Sequence, residues 1–479
     1  MIKKFTQPFA ALQSNLPWHI KTLCWLLSGV VAIRLVDGYS FPGSSVALLL
    51  LSVMLFVAGL CGSSVKEWRF NKWLWLFVGV AVLSFALHPY PDFIKRSGRF
   101  ALFIAGMLCY SPLVRTPRLI DIRRFLLLTL VVCFGVDFFL ELVCAFADIF
   151  SESMADDNPW MMSYWKSRLQ FVYLTTVFSF PLIAILCSIR YIKGRRLKIA
   201  LLVLAALLIV YIAKLHSRIV LLSLIVVILF LIYQNIATVK QWIKKPVVIV
   251  CAIVFLAIFS PYAYRTIVVK TQRNYTYGSF YNSRKALWHD RMAEFESAPW
   301  LGVGFAQHAE SLPALAVWND IDQGVIVLDT EFVMPHAADT AVTVNTFEAS
   351  KTAVTLRERL NVNINNGGYE PGSGYLLILS NLGLLGLITF LLFMVDKVRG
   401  DKPLFERYFG RTGNNTVPFE VLLQVCFLGF LLIVATCSGW ILFGGSLMFP
   451  VFWLCTNPMA DFVVEPSEKD EIAEQSVNG

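Results

Sequence analysis

Positive charges stand against the ends of apolar stretches in two groups. Lys95, Arg96 and Arg99 form one, Lys214 and Arg218 the other, and Arg34 is a further instance. A single cation so placed snorkels to a phosphate headgroup. Two helix-terminal groups on the side of a membrane where positive charge is disfavoured point further, to a built anion site, and arginine suits phosphate because its fork of donors stays charged. Arg284 and Arg291 lie seven residues apart, hence on one helical face. Among carboxylates, Asp137 and Glu141 are four apart in an apolar helix, where they could pair with Arg34 or line a wet groove. Asp320 and Asp322 have the spacing of a metal-binding pair, but with no third ligand beside them they read as a solvated turn, and no metal site is expected. Of His88, His216, His289, His308 and His336, the better candidates for a base are His308, after a glycine turn, and His216, beside Arg218.

The elements that must position these groups are apolar helices. The 479 residues are 57% hydrophobic and only 15% charged, with a mean hydropathy of +0.65, which excludes an ordinary water-soluble domain. Apolar runs near the ~20 residues needed to cross a bilayer recur at 20–36, 45–61, 73–88, 98–114, 123–147, 169–189, 197–214, 218–236, 246–262, 375–394, 419–436 and 439–456. The expected architecture is therefore an all-α polytopic membrane protein of about 12 spans. Lys3 and Lys4 precede the first apolar run without a small-residue cleavage signal, so that run reads as a retained helix. The ten cysteines fall in or beside apolar runs and show no CxxC spacing, as buried thiols do.

Alternate connecting loops carry the lysine and arginine, for instance Lys66, Arg69 and Lys72, then Arg115 to Arg124, then Lys397 to Arg411. By the positive-inside rule these loops and both termini are cytoplasmic. The chain divides into helices 1–9 (residues 1–262), an extracytoplasmic loop (263–374), helices 10–12 (375–456) and a polar, disordered cytoplasmic tail (457–479).

A loop of that length is expected to be functional. Asn282 to Pro299 reads as an amphipathic helix, with Ser283 as N-cap and Trp288, Met292 and Phe295 as the apolar stripe against the membrane-embedded body. Pro299-Trp300-Leu301-Gly302-Val303-Gly304-Phe305 follows, its glycines permitting a tight turn and close backbone approach. The loop ends in Glu370-Pro371-Gly372-Ser373-Gly374-Tyr375-Leu376, and the next helix carries Gly383 and Gly386, a spacing that lets neighbouring helices approach.

In order and placement these stretches resemble the O-antigen ligase and polymerase superfamily of bacterial surface-polysaccharide assembly. The resemblance is carried by Ser217-Arg218, by Arg284, Trp288 and Pro299 to Gly304, and by Tyr375-Leu376 with Gly383 to Gly386. It covers the arrangement of the whole chain and the motifs of 217–218 and 284–386. Ligases of the family carry a histidine where this chain has Gly372-Ser373-Gly374, whereas polymerases often have an acidic residue near Glu370, so polymerase is preferred over ligase.

The resemblance implies a bacterial inner-membrane enzyme whose donor is a glycan on undecaprenyl pyrophosphate and whose acceptor is a glycan or lipid. Membrane lipids and a chain-length regulator are further implied partners; no cofactor and no nucleic acid are expected. Arg218 and Arg284 would hold the pyrophosphate and stabilise the leaving group, with Lys95, Arg96, Arg99, Lys214 and Arg291 assisting. Glu370, or His308, would take the proton of the incoming hydroxyl. A protein O-oligosaccharyltransferase shares the architecture. A flippase is the rival class, disfavoured by the large outer loop and by the lack of an internal repeat.

Overall fold

The computed structural model describes residues 16–37, 44–88, 93–151, 172–192, 194–214, 218–234, 291–292, 294–305, 373–410, 417–436 and 448–463, with the isolated positions 250, 253, 257, 260 and 264. Side chains are described over most of this range, but not at 33–37, 44, 93–96, 140–151, 172–177, 211, 213–214 or 218.

The described residues are mostly helical. In order come α1 (Trp18–Asp37), α2 (Ser44–Cys61), α3 (Lys72–Leu87), α4 (Phe93–Tyr110), α5 (Pro117–Ser151), α6 (Val172–Ser188), α7 (Arg195–Lys214) and α8 (Arg218–Gln234). After the loop follow α9 (Gly374–Phe409), α10 (Phe419–Val434) and α11 (Met448–Cys455). By length and composition α9 is long and apolar enough to cross a membrane, and six shorter apolar helices of 10–17 residues accompany it. Two short strands, β1 (Arg69–Phe70) and β2 (Val114–Arg115), pair antiparallel between the α2–α3 and α4–α5 connections.

Non-local packing defines two groups. α1 lies on α5 and α2, and α2 on α4, while α6 bridges α5 to α7, α8 and α10. Trp25 meets Phe125 edge to face and Ser28 hydrogen-bonds Thr129 at 2.7 Å, so α1 and α5 run parallel. Asp137 is buried. α9 packs along α3 and α11 fills the space beside α4, α5 and α10. The centre is aromatic: Trp453 is fully enclosed, with Phe77, Phe390, Phe393, Phe449 and Phe452 around it at 5.2–6.4 Å between ring centroids.

Among the described residues, two segments depart furthest from the sequence reading. The basic stretch 397–409, read as a loop, continues α9 without interruption. Its Lys397 and Asp401 are one turn apart and paired at 2.6 Å, and Lys402 faces Glu406 in the same register, which supports helix where hydropathy has ended. The segment 457–463, assigned to a disordered tail, is instead ordered and largely buried: Met459–Phe462 forms a 3-10 turn and Asp461 is ion-paired with Arg115. Residues 464–479 lie outside the described range.

Asn457 is the centre of that end of the bundle. Its amide donates to the carbonyls of Tyr110 at 2.8 Å and Leu454 at 2.9 Å, and its side-chain oxygen accepts from Arg123 at 3.3 Å. Its own carbonyl accepts from Lys397 at 2.7 Å and from Gln424. Asp401 takes the Met459 N–H at 2.8 Å. Arg123, 1% exposed, spends its remaining donors on the carbonyls of Leu108, Cys109 and Val114. One short segment thus adds acceptors to buried cations of α5 and α9 that Asp401 and the carbonyls of Leu108, Cys109 and Val114 already meet in part.

Candidate functional site

The opposite end is organised by a break in α9. A helix donates each N–H to the carbonyl four residues back, so Leu384 should bond Ser380 and Leu385 should bond Asn381. At Gly383 the backbone instead turns to φ 65°, ψ −165°, outside the helical region. Leu384 N–H then donates to the carbonyl of Pro299 at 2.8 Å, and Leu385 N–H to that of Trp300 at 3.2 Å. The freed Ser380 carbonyl accepts from Val303 N–H at 2.8 Å. Ser84 of α3 stands between the chains, its single hydroxyl hydrogen shared between the carbonyls of Leu301 at 2.8 Å and Asn381 at 2.9 Å. Every backbone group released by the break is met, which is the condition for irregular backbone within apolar surroundings.

Glycine is required on both sides of this interlock. A Cβ on Gly302, at φ 68°, would stand 2.3 Å from the Asn381 backbone, and one on Gly383 would stand 2.4 Å from that of Trp300. Close approach at the turn was legible in the sequence. That Gly383 receives the turn, rather than a neighbouring helix, was not, because a glycine in an apolar helix looks the same in either case.

Phe305, 2% exposed, anchors the far side of the turn with its ring 5.1 Å from Phe100 and 4.8 Å from Phe103, and Phe100 stacks on Phe85 at 4.4 Å. The turn is thereby fixed to α3, α4 and α9 together. Tyr375 and Gly374, at the start of α9, are tied to α10 through the carbonyls of Leu432 and Ala435.

Residues 291–292 and 294–297 are helical; of the apolar stripe expected from the sequence, Phe295 is half-buried and Trp288 lies outside the described residues. Met292 is exposed, whereas Arg291 and Glu294 are enclosed and paired at 2.6 Å, each side chain 3% exposed. The physical reason is mutual neutralisation: with a carboxylate one turn away, the arginine can enter the protein as half of a hydrogen-bonded pair. The i, i+3 spacing was the available sequence signal. Arg291 therefore has its charge met by Glu294 within the same helix.

Of the other expected site residues, Arg99 is half-buried on α4, adjacent in sequence to the Phe100 that touches the turn. Lys95 and Arg96 lie in the first turn of the same helix, Lys214 ends α7 and Arg218 begins α8, with side chains outside the described set. Arg284, His308 and Glu370, together with His216, His289 and the Asp320/Asp322 pair, lie outside the described residues. Ser84 and Glu294 escaped the sequence reading, and Phe305 was read there as part of the turn without its ring partners, since a serine or phenylalanine in an apolar run gives no sign of a distant partner. Among the described residues no group of three or more His, Cys, Asp or Glu side chains could hold a metal.

No protein-family model matches the chain, and no curated protein matches its sequence.

Proposed function

We propose that the chain is a polytopic membrane glycosyltransferase that polymerises undecaprenyl-pyrophosphate-linked repeat units at the outer face of the bacterial inner membrane, both termini being cytoplasmic. The observation that carries the reading is the interlock. Two of the stretches that carry the family resemblance, Pro299 to Gly304 and Gly383 to Gly386, are far apart in sequence and meet through backbone hydrogen bonds. A broken apolar helix clasping an inserted turn is the kind of irregular backbone that membrane proteins keep for functional sites.

Membrane placement is supported by the outward faces. Val46, Leu50, Val53, Met54 and Val57 of α2 are exposed on one side of that helix, as are Leu385, Ile388, Leu391, Leu392, Val395 and Val398 of α9. The interior meanwhile holds Ser28, Ser52, Ser84, Thr129, Ser380, Asn381 and Gln424. Helices apolar on every side, with their polar groups turned inward, have hydrocarbon as their matching solvent.

In this reading Arg218 and Arg284 neutralise the pyrophosphate as the glycosyl bond to it breaks, with Lys95, Arg96, Arg99 and Lys214 adding positive charge, and Glu370 or His308 removes the acceptor hydroxyl proton. The test is the surface glycan of a deletion strain complemented with wild type, Arg218→Ala, Arg284→Ala or Glu370→Ala at matched membrane levels. A polymerase site requires collapse to single repeat units on the acceptor. Polymer accumulating on the carrier with none attached would instead indicate a ligase, and normal glycan from every variant would refute the site.

A further inference from the structure

At the Asn457 end of the bundle, the connection between α2 and α3 builds a surface that the reading above leaves without a role. Ser63 to Asn71 forms a 3-10 turn, Val65–Glu67, followed by β1, and Asn71 caps α3 by accepting the N–H groups of Trp73 and Leu74 at 3.1 Å. Pairing of β1 with β2 holds Arg69 opposite Arg115 and Phe70 opposite Val114. Arg115 is engaged by Asp461, while both residues of β1 face outward.

The result is an exposed collar of apolar and cationic groups. Val65 is 74% exposed and Phe70 57%, and the Phe70 ring stands 6.4 Å from Trp68 and 6.3 Å from Trp75. Lys66, Arg69 and Lys72 are exposed between them, Lys72 reaching over the Trp73 ring at 5.0 Å. Among the described residues none of the three forms an ion pair, and Glu67 is the single acid in the stretch. The collar continues into an exposed apolar lane along α3, through Trp75, Leu76, Val82, Leu83 and Leu87.

We infer that the stretch from Val65 to Trp75 is a binding site for anionic phospholipid headgroups, with the acyl chains lying along the α3 lane; this rests on the membrane placement proposed above but not on the glycosyltransferase chemistry. Aromatic rings at the end of an apolar lane match the headgroup level of a bilayer, and three uncompensated cations beside them match negative phosphate-bearing lipids. Apolar lane, aromatic rim and cations follow in the order in which hydrocarbon, interface and headgroup follow in a leaflet.

The full chain, reconstituted in vesicles of equal phosphatidylglycerol and phosphatidylcholine, is extracted in mild detergent and its retained lipids are counted by native mass spectrometry. Wild type should retain phosphatidylglycerol over phosphatidylcholine by about fivefold or more, the increment for one cation at an anionic surface. Lys66→Gln/Arg69→Gln/Lys72→Gln should bring the ratio close to one. Arg399→Gln/Lys402→Gln/Arg407→Gln, which removes as much exposed charge from α9, should leave it unchanged. In wild type, raising the salt from about 0.05 M to about 0.5 M should erase the preference, a result that needs no variant to fold. A wild-type ratio near one, an equal loss in both triple variants, or a salt-independent preference would overturn the site. Failure of the chain to enter vesicles at all would overturn the membrane placement and this site with it.

Discussion

The two ends of α9 are held by opposite means. Near its start the helix is broken at Gly383 and joined to the Pro299 to Phe305 turn by main-chain hydrogen bonds, Ser84 lending one hydroxyl. Some two dozen residues on, the unbroken helix is clamped by side chains: Lys397 and Asp401 engage Asn457 and Met459. The first junction depends on the absence of side chains, the second on particular functional groups. They should therefore fail differently, one by addition of a methyl group, the other by deletion of a polar one.

The largest effect is expected at the glycines. Gly383→Ala or Gly302→Ala adds both a left-handed strain and a backbone collision, together about 5 kcal/mol, so thermal unfolding of the purified protein should show a collapse of the folded fraction. If alanine at Gly383 leaves the melting temperature unchanged, the interlock as described is wrong. Next, Glu294→Leu should cost about 4 kcal/mol by removing the carboxylate paired with the buried Arg291, and Arg291→Met/Glu294→Leu should recover most of it; a double variant no better than the single would show that the pair is not an isolated unit.

At the other end, Asn457→Leu should cost about 3 kcal/mol, because Arg123 loses an acceptor and the Tyr110 carbonyl a donor, in a place water does not reach. Hydrogen exchange should rise in α11 and the 3-10 turn while the Gly302–Gly383 contact stays protected. Spread of that exchange to the turn would show that the two ends are coupled. The smallest effect, about 1 kcal/mol, is expected for Ser84→Ala, which takes one shared hydroxyl hydrogen from the Leu301 and Asn381 carbonyls and leaves the three backbone hydrogen bonds of the interlock in place.

Much of the fold was legible. The runs at 45–61 and 73–88 correspond to Ser44–Cys61 and Lys72–Leu87, because a helix flanked by turn residues is defined by local chemistry. The same hydropathy reading stopped α9 too early, since past Met394 the helix is held by i, i+4 ion pairs and by Asn457, and average apolarity does not register either. It also took the segment from Asn457 onward for a tail, where a dense set of buried hydrogen bonds makes residues 457–463 part of the core.

The sequence by itself determined the helical class, the positions of the apolar runs, the basic connection between α2 and α3 and the need for glycine in the turn at Gly302 and Gly304. Each of these follows from composition or from residues within a few positions of one another. Only the tertiary structure decided that Gly383 is the partner of that turn, that Arg291 turns inward to Glu294, that Ser84 bridges two distant carbonyls and that Asn457 gathers the cations of α5 and α9. The physical reason is common to the four. A polar group or a missing Cβ announces that something must meet it, but the donor, acceptor or backbone that does so comes from elsewhere in the fold.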